Sequence, residues 1–347
     1  MLKKNEKQGL IIYLGTVFGI TLLIGFLIRV AFQNNQPISS YAGVQMMYPA
    51  IGVIIAVFFT RKDLFQKMKR FYLSYLIVGV VCIIALVLYT FSNNSLFTEL
   101  TFYAGTIGTL LMFLWIFLMD SPTRKACGFG LGNKNVRTFT KYVVLFLAFQ
   151  IMDIIVSTVY LFSIGECTFS DLSQMLHSAP STVSVFVLKL FPVFFMNFIY
   201  YWGEEYGWRY FLQPLLQKRY GTCKGLVLVG VIWAIWHLPL TLYFYSPETP
   251  AQEMTYRIVF CICFSFVMGY FYMKLNSIWL PVTMHFLNNG MSSLFANPTE
   301  VSQASESIIS WPDVIVSSII ILLLTIPFFV LCYRMKEKCV GSPKLCE

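Results

Sequence analysis

Charge is scarce in this chain. Aspartate, glutamate, lysine and arginine make up 12% of the 347 residues, about half the share of a soluble domain, while 57% are hydrophobic. That excludes an ordinary water-soluble globule, and repeated apolar runs of about 20 residues imply bilayer-spanning helices instead. Histidine is scarcer still, at three residues, so chemistry that needs imidazole has few places to occur. There is no His-Glu-x-x-His stretch, which removes a common helical zinc-protease pattern. The nine cysteines are scattered and several lie inside apolar runs. Cys261 and Cys263 are two apart and cannot share a helix face, so they form neither a zinc knuckle nor a redox pair. No internal repeat or low-complexity linker is evident, which argues against repeat-built transporters.

What is present is a succession of apolar runs bounded by basic loops. They cover about Gly9 to Phe32, Ala42 to Phe59, Phe71 to Phe91, Leu100 to Leu118, Tyr142 to Ile164, Ser184 to Leu216, Gly225 to Tyr245, Arg257 to Met273, Ile278 to Phe295 and Val314 to Tyr333. Lysine and arginine cluster at Lys3 to Lys7, Arg61 to Arg70, Arg124 to Lys141, Lys218-Arg219, Lys274 and Arg334 to Lys338, and all of these fall on one side. By the positive-inside tendency that side is cytoplasmic, which predicts ten spans with both termini inside. The net charge of +9 is accounted for by these loops and needs no nucleic-acid partner. The expected fold is therefore all-α, a polytopic protein of the bacterial plasma membrane. It divides into N-terminal helices over 1–182, a core over 183–296, and a last helix and tail over 297–347.

Polar side chains are unevenly spread over these runs. The first five carry little polar chemistry apart from Gln150 and Asp153, for which Lys189 in the sixth is a possible structural partner. The outer loops Glu166 to Ser181, which holds His177, and Ser246 to Glu253 are acidic.

Gly203 to Pro214 stands apart, because it puts two adjacent carboxylates and an arginine at the end of an apolar run. An ionisable group at membrane depth costs a few kcal/mol or more, so it faces protein or water and has a role. Glu205 and Arg209 are four residues apart with the acid first, the favourable order for an ion pair on one helix face. Glu204 points about 100° away and is the freer carboxylate.

The two remaining histidines lie inside apolar runs. Trp233 to Pro239 places His237 one turn after Trp233, and Met284 to Asn289 places His285 and Asn289 at i and i+4. At a rise of about 1.5 Å per residue, Glu204, His237 and His285 lie roughly 21, 20 and 17 Å from Lys218, Lys224 and Lys274. These equal depths would let three helices bring a carboxylate, two imidazoles and an amide together. Pro239 and Pro281 are expected to kink or open the helices beside the histidines.

Such a set suits attack of water on an amide. A poorly solvated carboxylate can serve as general base with help from His237, and donors on the His285 and Asn289 face can stabilise an oxyanion. No serine, threonine or cysteine stands at a comparable position, so a covalent nucleophile is not favoured. A structural charge cluster remains the bland alternative.

At these residues the sequence resembles the CPBP family, also called Abi. It comprises the type II CAAX prenyl proteases and the bacteriocin-processing and self-immunity proteins. The Glu-Glu-x-x-x-Arg motif is Glu204 to Arg209, the Phe-x-x-x-His motif reads Trp233 to His237 with Trp for Phe, and the His-x-x-x-Asn motif is His285 to Asn289. The resemblance covers about Val183 to Phe295 and implies an intramembrane glutamic endopeptidase. Glu204 and His237 would activate water, His285 and Asn289 would hold the oxyanion, and Glu205, Arg209 and Trp233 would support the site. The expected partner is a peptide or lipidated protein substrate within membrane lipid, in peptide maturation or bacteriocin self-immunity. No cofactor is expected; zinc on the histidines and glutamate is the alternative, weakened because Asn is a poor zinc ligand. A non-catalytic immunity or scaffold protein that binds a peptide or a partner helix is the competing function.

Overall fold

The computed structural model describes residues 2–130, 136–294 and 308–335. Among these, all regular structure is helical. Seven stretches are long and apolar enough to cross a membrane. They are α1 (Lys4–Gln33), the pair α2 (Ser39–Gln45) and α3 (Tyr48–Thr60), α5 (Lys69–Ser92), α6 (Leu96–Leu118), α8 (Val136–Ser163), α13 (Pro250–Leu275) and α15 (Trp311–Arg334). An eighth is the bent pair α11 (Thr222–Trp236) and α12 (Leu238–Leu240), continued by the π-helical turn π2 (Thr241–Tyr245). The protein is a multi-pass membrane protein. The sixth and ninth apolar runs are also helical, as α9 (Phe169–Glu205) and α14 (Trp279–Leu294). Short helices α4 (Lys62–Lys67), α7 (Ser121–Ala126) and α10 (Gln213–Tyr220) carry many of the basic residues between spans.

Two expected loops are shorter than the sequence suggests. The stretch Glu166 to Ser181 turns helical at Phe169, and Pro250 opens α13 so that Glu253 sits in its first turn and is buried. Proline at the start of a helix forfeits no hydrogen bond, because the first N–H groups have no intrahelical partner. The same rule corrects the reading of Pro281, which lies in the first turn of α14 and does not kink it. Pro239 behaves as expected: the chain bends by 44° between α11 and α12. The side chains of Lys189 and His177 lie outside the described residues.

Two groups of helices flank the centre. On one side α1 packs on α3 and α5 on α6; on the other α13 packs on both α11 and α15. Between them α9 contacts α3, α6 and α14, and α14 reaches α8 and α13. The motif-bearing helices thus occupy the interior, where protein rather than lipid surrounds their polar side chains.

Candidate active site

Glu204 and Glu205 are the last residues of α9, and the chain continues from them as a π-helical turn, π1 (Tyr206–Leu212). Single π turns widen a helix and recur at functional sites. Trp202, Tyr206 and Tyr210 stack successively along this stretch with centroids 4.2 and 4.4 Å apart. Gly207 lets the turn lie against the start of α3: a Cβ there would meet the Pro49 side chain and come within 3.0 Å of its backbone.

The two glutamates are divided as their spacing predicts. Glu205 Oε2 lies 3.1 Å from Arg209 Nε, and both side chains are fully buried. The contact is poorly angled for a hydrogen bond, and the guanidinium instead rests over the Trp233 ring at 4.8 Å. Trp233, expected only as a supporting aromatic, therefore stabilises the cation through its π face. Glu204 is turned the other way, onto a cavity of about 200 Å³.

His237 sits at the break between α11 and α12. Its Nδ1 is 2.9 Å from the Trp233 carbonyl oxygen. A carbonyl can only accept, so in this hydrogen bond Nδ1 carries the proton and Nε2 keeps its lone pair. The Trp236 carbonyl beside the break accepts from Gln45 Nε2 at 2.9 Å. His285 Nδ1 lies 2.8 Å from Glu205 Oε1 and 3.4 Å from Glu204 Oε2, so it is shared by the two acids. Trp233 lies between the imidazoles, with centroids 5.9 Å from His237 and 6.1 Å from His285.

The cavity is lined by Glu204, His237, His285 and Asn289, the four residues expected to act together. Asn289 is exposed at its edge, and its Oδ1 accepts from Asn288 Nδ2 at 3.2 Å. Asn288 Oδ1 in turn accepts from Gln150 Nε2 on α8 at 3.0 Å. The first five runs are therefore not mere scaffold: Ala42, Gly43 and Met46 form cavity wall, and Gln45 and Gln150 hydrogen-bond to the site. Sequence reasoning also missed Tyr245 and Arg257. The Glu253 to Arg257 spacing matches that of Glu205 to Arg209, and the same i, i+4 rule would have found it. Nothing in the sequence marks Gln45 or Tyr245.

Glu204, Glu205 and His285 each offer a ligand atom within 4.8 Å of the others, the minimum for a metal site. One feature opposes a dication there: Arg209 already neutralises Glu205.

Residues 186–291 match the family model described as Type II CAAX prenyl endopeptidase Rce1-like. The match covers about a third of the chain. The matched segment holds all three motifs and most of the residues that line the cavity. The CAAX prenyl protease 2 of Methanococcus maripaludis is 28% identical over 174 residues, 48% of this chain and 60% of that protein. The match thus spans less than two thirds of the Methanococcus protein. No solved structure matches the chain.

Proposed function

We propose that this protein is an intramembrane endopeptidase in which Glu204 activates water to hydrolyse a peptide bond of a lipid-anchored substrate. The observation that carries this reading is the asymmetry of the acid pair. Glu205 is held by Arg209 and His285, whereas Glu204 lines the cavity and its buried Oε2 makes no hydrogen bond, 3.4 Å from His285 Nδ1. A carboxylate without a fixed donor can accept a proton from water at little cost, which a carboxylate bound to a guanidinium cannot do. His237, with Nε2 unprotonated, is suited to orient that water or share its proton.

Hydrolysis then proceeds in order. Water adds to the scissile carbonyl carbon as Glu204 takes its proton, and the carbonyl oxygen becomes an oxyanion. His285 and Asn289 donate to it. For His285 to donate from Nε2 while Nδ1 faces two carboxylates, the ring must be imidazolium, and those carboxylates are its counter-charge. Glu204 returns the proton to the leaving amine, which closes the cycle without a covalent intermediate. No metal takes part in this scheme, because Glu205 is occupied by Arg209.

The name of the Methanococcus relative suggests a prenylated protein as substrate. The membrane is placed with both termini on the cytoplasmic side, from the loop charges, and the plasma membrane of a bacterium is the expected location. The test is cleavage of farnesylated and plain peptides by the purified full chain, with and without a chelator. Glu204→Gln is expected to lower kcat by about a thousandfold or more, and His285→Ala by about a hundredfold, with chelation without effect. Full cleavage by Glu204→Gln would remove the glutamate mechanism, and loss on chelation would restore the metal. A wild type inert to every peptide, yet protective in cells as Glu204→Gln, would favour a binding or immunity protein.

A further inference from the structure

Three basic stretches that lie far apart in sequence meet at one end of the bundle. Lys218, in the last turn of α10, reaches Glu6 in the first turn of α1, with Nζ 2.7 Å from Oε1. Glu6 also forms part of the wall of a second cavity, of about 380 Å³, between the start of α1, the end of α3, π1 and α10. The cations of this wall are Lys3, Lys4 and Arg61, and no motif residue contributes to it.

Arg61 joins α3 to α4 and is half-buried. Its Nη1 is buried and has no hydrogen-bond partner among the described residues. A buried donor left unmade is costly, so this guanidinium calls for an acceptor. Glu6 is already engaged by Lys218 and by the Lys3 backbone N–H at 2.7 Å, and Asp63, the remaining acid of the wall, is exposed. A phosphate, which arginine binds in fork geometry, supplies what is missing. The rest of the wall is apolar, with Val57, Phe211 and Leu215 all buried. Just before Arg61 on α3, Phe58 and Phe59 are 48% and 58% exposed, as side chains in contact with lipid tails would be. A cationic wall, an apolar wall and a lipid-facing surface beside them match the parts of a phospholipid. The volume lies within the usual range of ligand pockets. The loop charges assign this end to the cytoplasmic side, where anionic lipids attract basic residues.

We propose that this cavity binds the phosphate headgroup of an anionic phospholipid whose acyl chains lie along Phe58 and Phe59. Phe211 is two residues beyond Arg209, and its ring packs on Tyr13 at 4.9 Å, which meets Trp208 edge-on at 6.1 Å. A bound headgroup therefore braces π1 from behind, and binding is read as a rise in Tm. Phosphatidylglycerol and phosphatidylcholine are titrated into the purified full chain in detergent. Phosphatidylglycerol is expected to bind about tenfold or more tightly. The ratio should fall to about one in the variant with Lys3→Gln, Lys4→Gln and Arg61→Gln. It should persist with Lys67→Gln and Lys69→Gln, which remove two exposed cations outside the cavity. Should the triple variant fail to fold, Lys3→Gln with Lys4→Gln, both on exposed residues, is still expected to lower the ratio severalfold. Equal binding of the two lipids to the wild type, or equal losses in both sets of variants, overturns the proposal, since the attraction would then be diffuse. Displacement of phosphatidylglycerol by inorganic phosphate at the same concentration also overturns it, because the ligand would then be a soluble phosphate. None of these readouts needs cleavage, so the lipid site and the proposed function fail separately.

Discussion

α8 and α13 are near twins by composition and opposites by environment. They run for 28 and 26 residues with mean hydropathies of 2.1 and 1.9, yet 17% of the apolar window of α8 is buried against 72% for α13. Lipid tails are as apolar as leucine, so hydropathy brings a helix into the bilayer without deciding what it packs against. Close approach of backbones and polar contacts decide that. α13 meets α11 where Gly230 faces the Ile262 backbone, and it carries the Glu253–Arg257 pair on the cavity. α8 turns Phe146 and Phe149 inward and reaches the site through Gln150.

The contrast breaks most sharply at Gly230. A Cβ there would stand 2.5 Å from Ile262 Cα and 2.8 Å from the Cys261 carbonyl oxygen. Alanine favours a helix over glycine by about 1 kcal/mol, but the obstruction is backbone, which cannot rotate away. Overpacking of this kind costs about 1–3 kcal/mol or more, so it outweighs the gain. Gly230→Ala is therefore expected to lower Tm by several degrees and to cut activity more than tenfold, since Cys261 and His237 line one cavity. A variant of unchanged Tm and turnover would show that α11 and α13 can part without consequence.

How much of this was legible in the sequence depends on whether the signal was local. Glu204, Glu205 and Arg209 could be sorted into two roles by helical spacing alone, and equal depth grouped them with His237 and His285. The bend at His237 followed from Pro239. The π-helical turns had no such signal, because they arise where Gly207 and the stacked Trp202, Tyr206 and Tyr210 meet neighbouring helices. Gln45 was invisible for the same reason: its amide meets the Trp236 carbonyl across 191 residues of chain. Hydropathy gave the helices but not their burial, as α8 and α13 demonstrate.

Gln150 sharpens the comparison, since it is where the peripheral helix touches the chemistry. Its amide donates to Asn288, which donates to Asn289 Oδ1. That direction makes Asn289 Oδ1 an acceptor, so its NH₂ is the end that can donate to a substrate oxygen. Gln150→Glu has nearly the same shape but no donor at neutral pH, so it removes the first link without a void. Loss of an oxyanion donor costs about 10²–10³ in kcat; loss of its orientation alone is expected to cost about tenfold, with KM unchanged. The control is the double variant with Asn289→Ala, in which Gln150→Glu should have no further effect. Independent, multiplying effects would mean that Gln150 acts on the fold and not through Asn289.

The smallest effect is expected on the outer face of α8, where the comparison predicts lipid contact alone. Val144 and Val159 are 58% and 63% exposed. Val159→Leu adds one methylene to a surface already bathed in hydrocarbon, so neither cavity nor overpacking can result. Tm should stay within the effect of an ordinary surface change, about 0.5 kcal/mol, and turnover should be unchanged in thermal-shift and cleavage assays. A loss of several degrees there would mean that protein, not lipid, covers α8. In that case its low burial would reflect an absent neighbouring subunit, and crosslinking through Val144→Cys would find it.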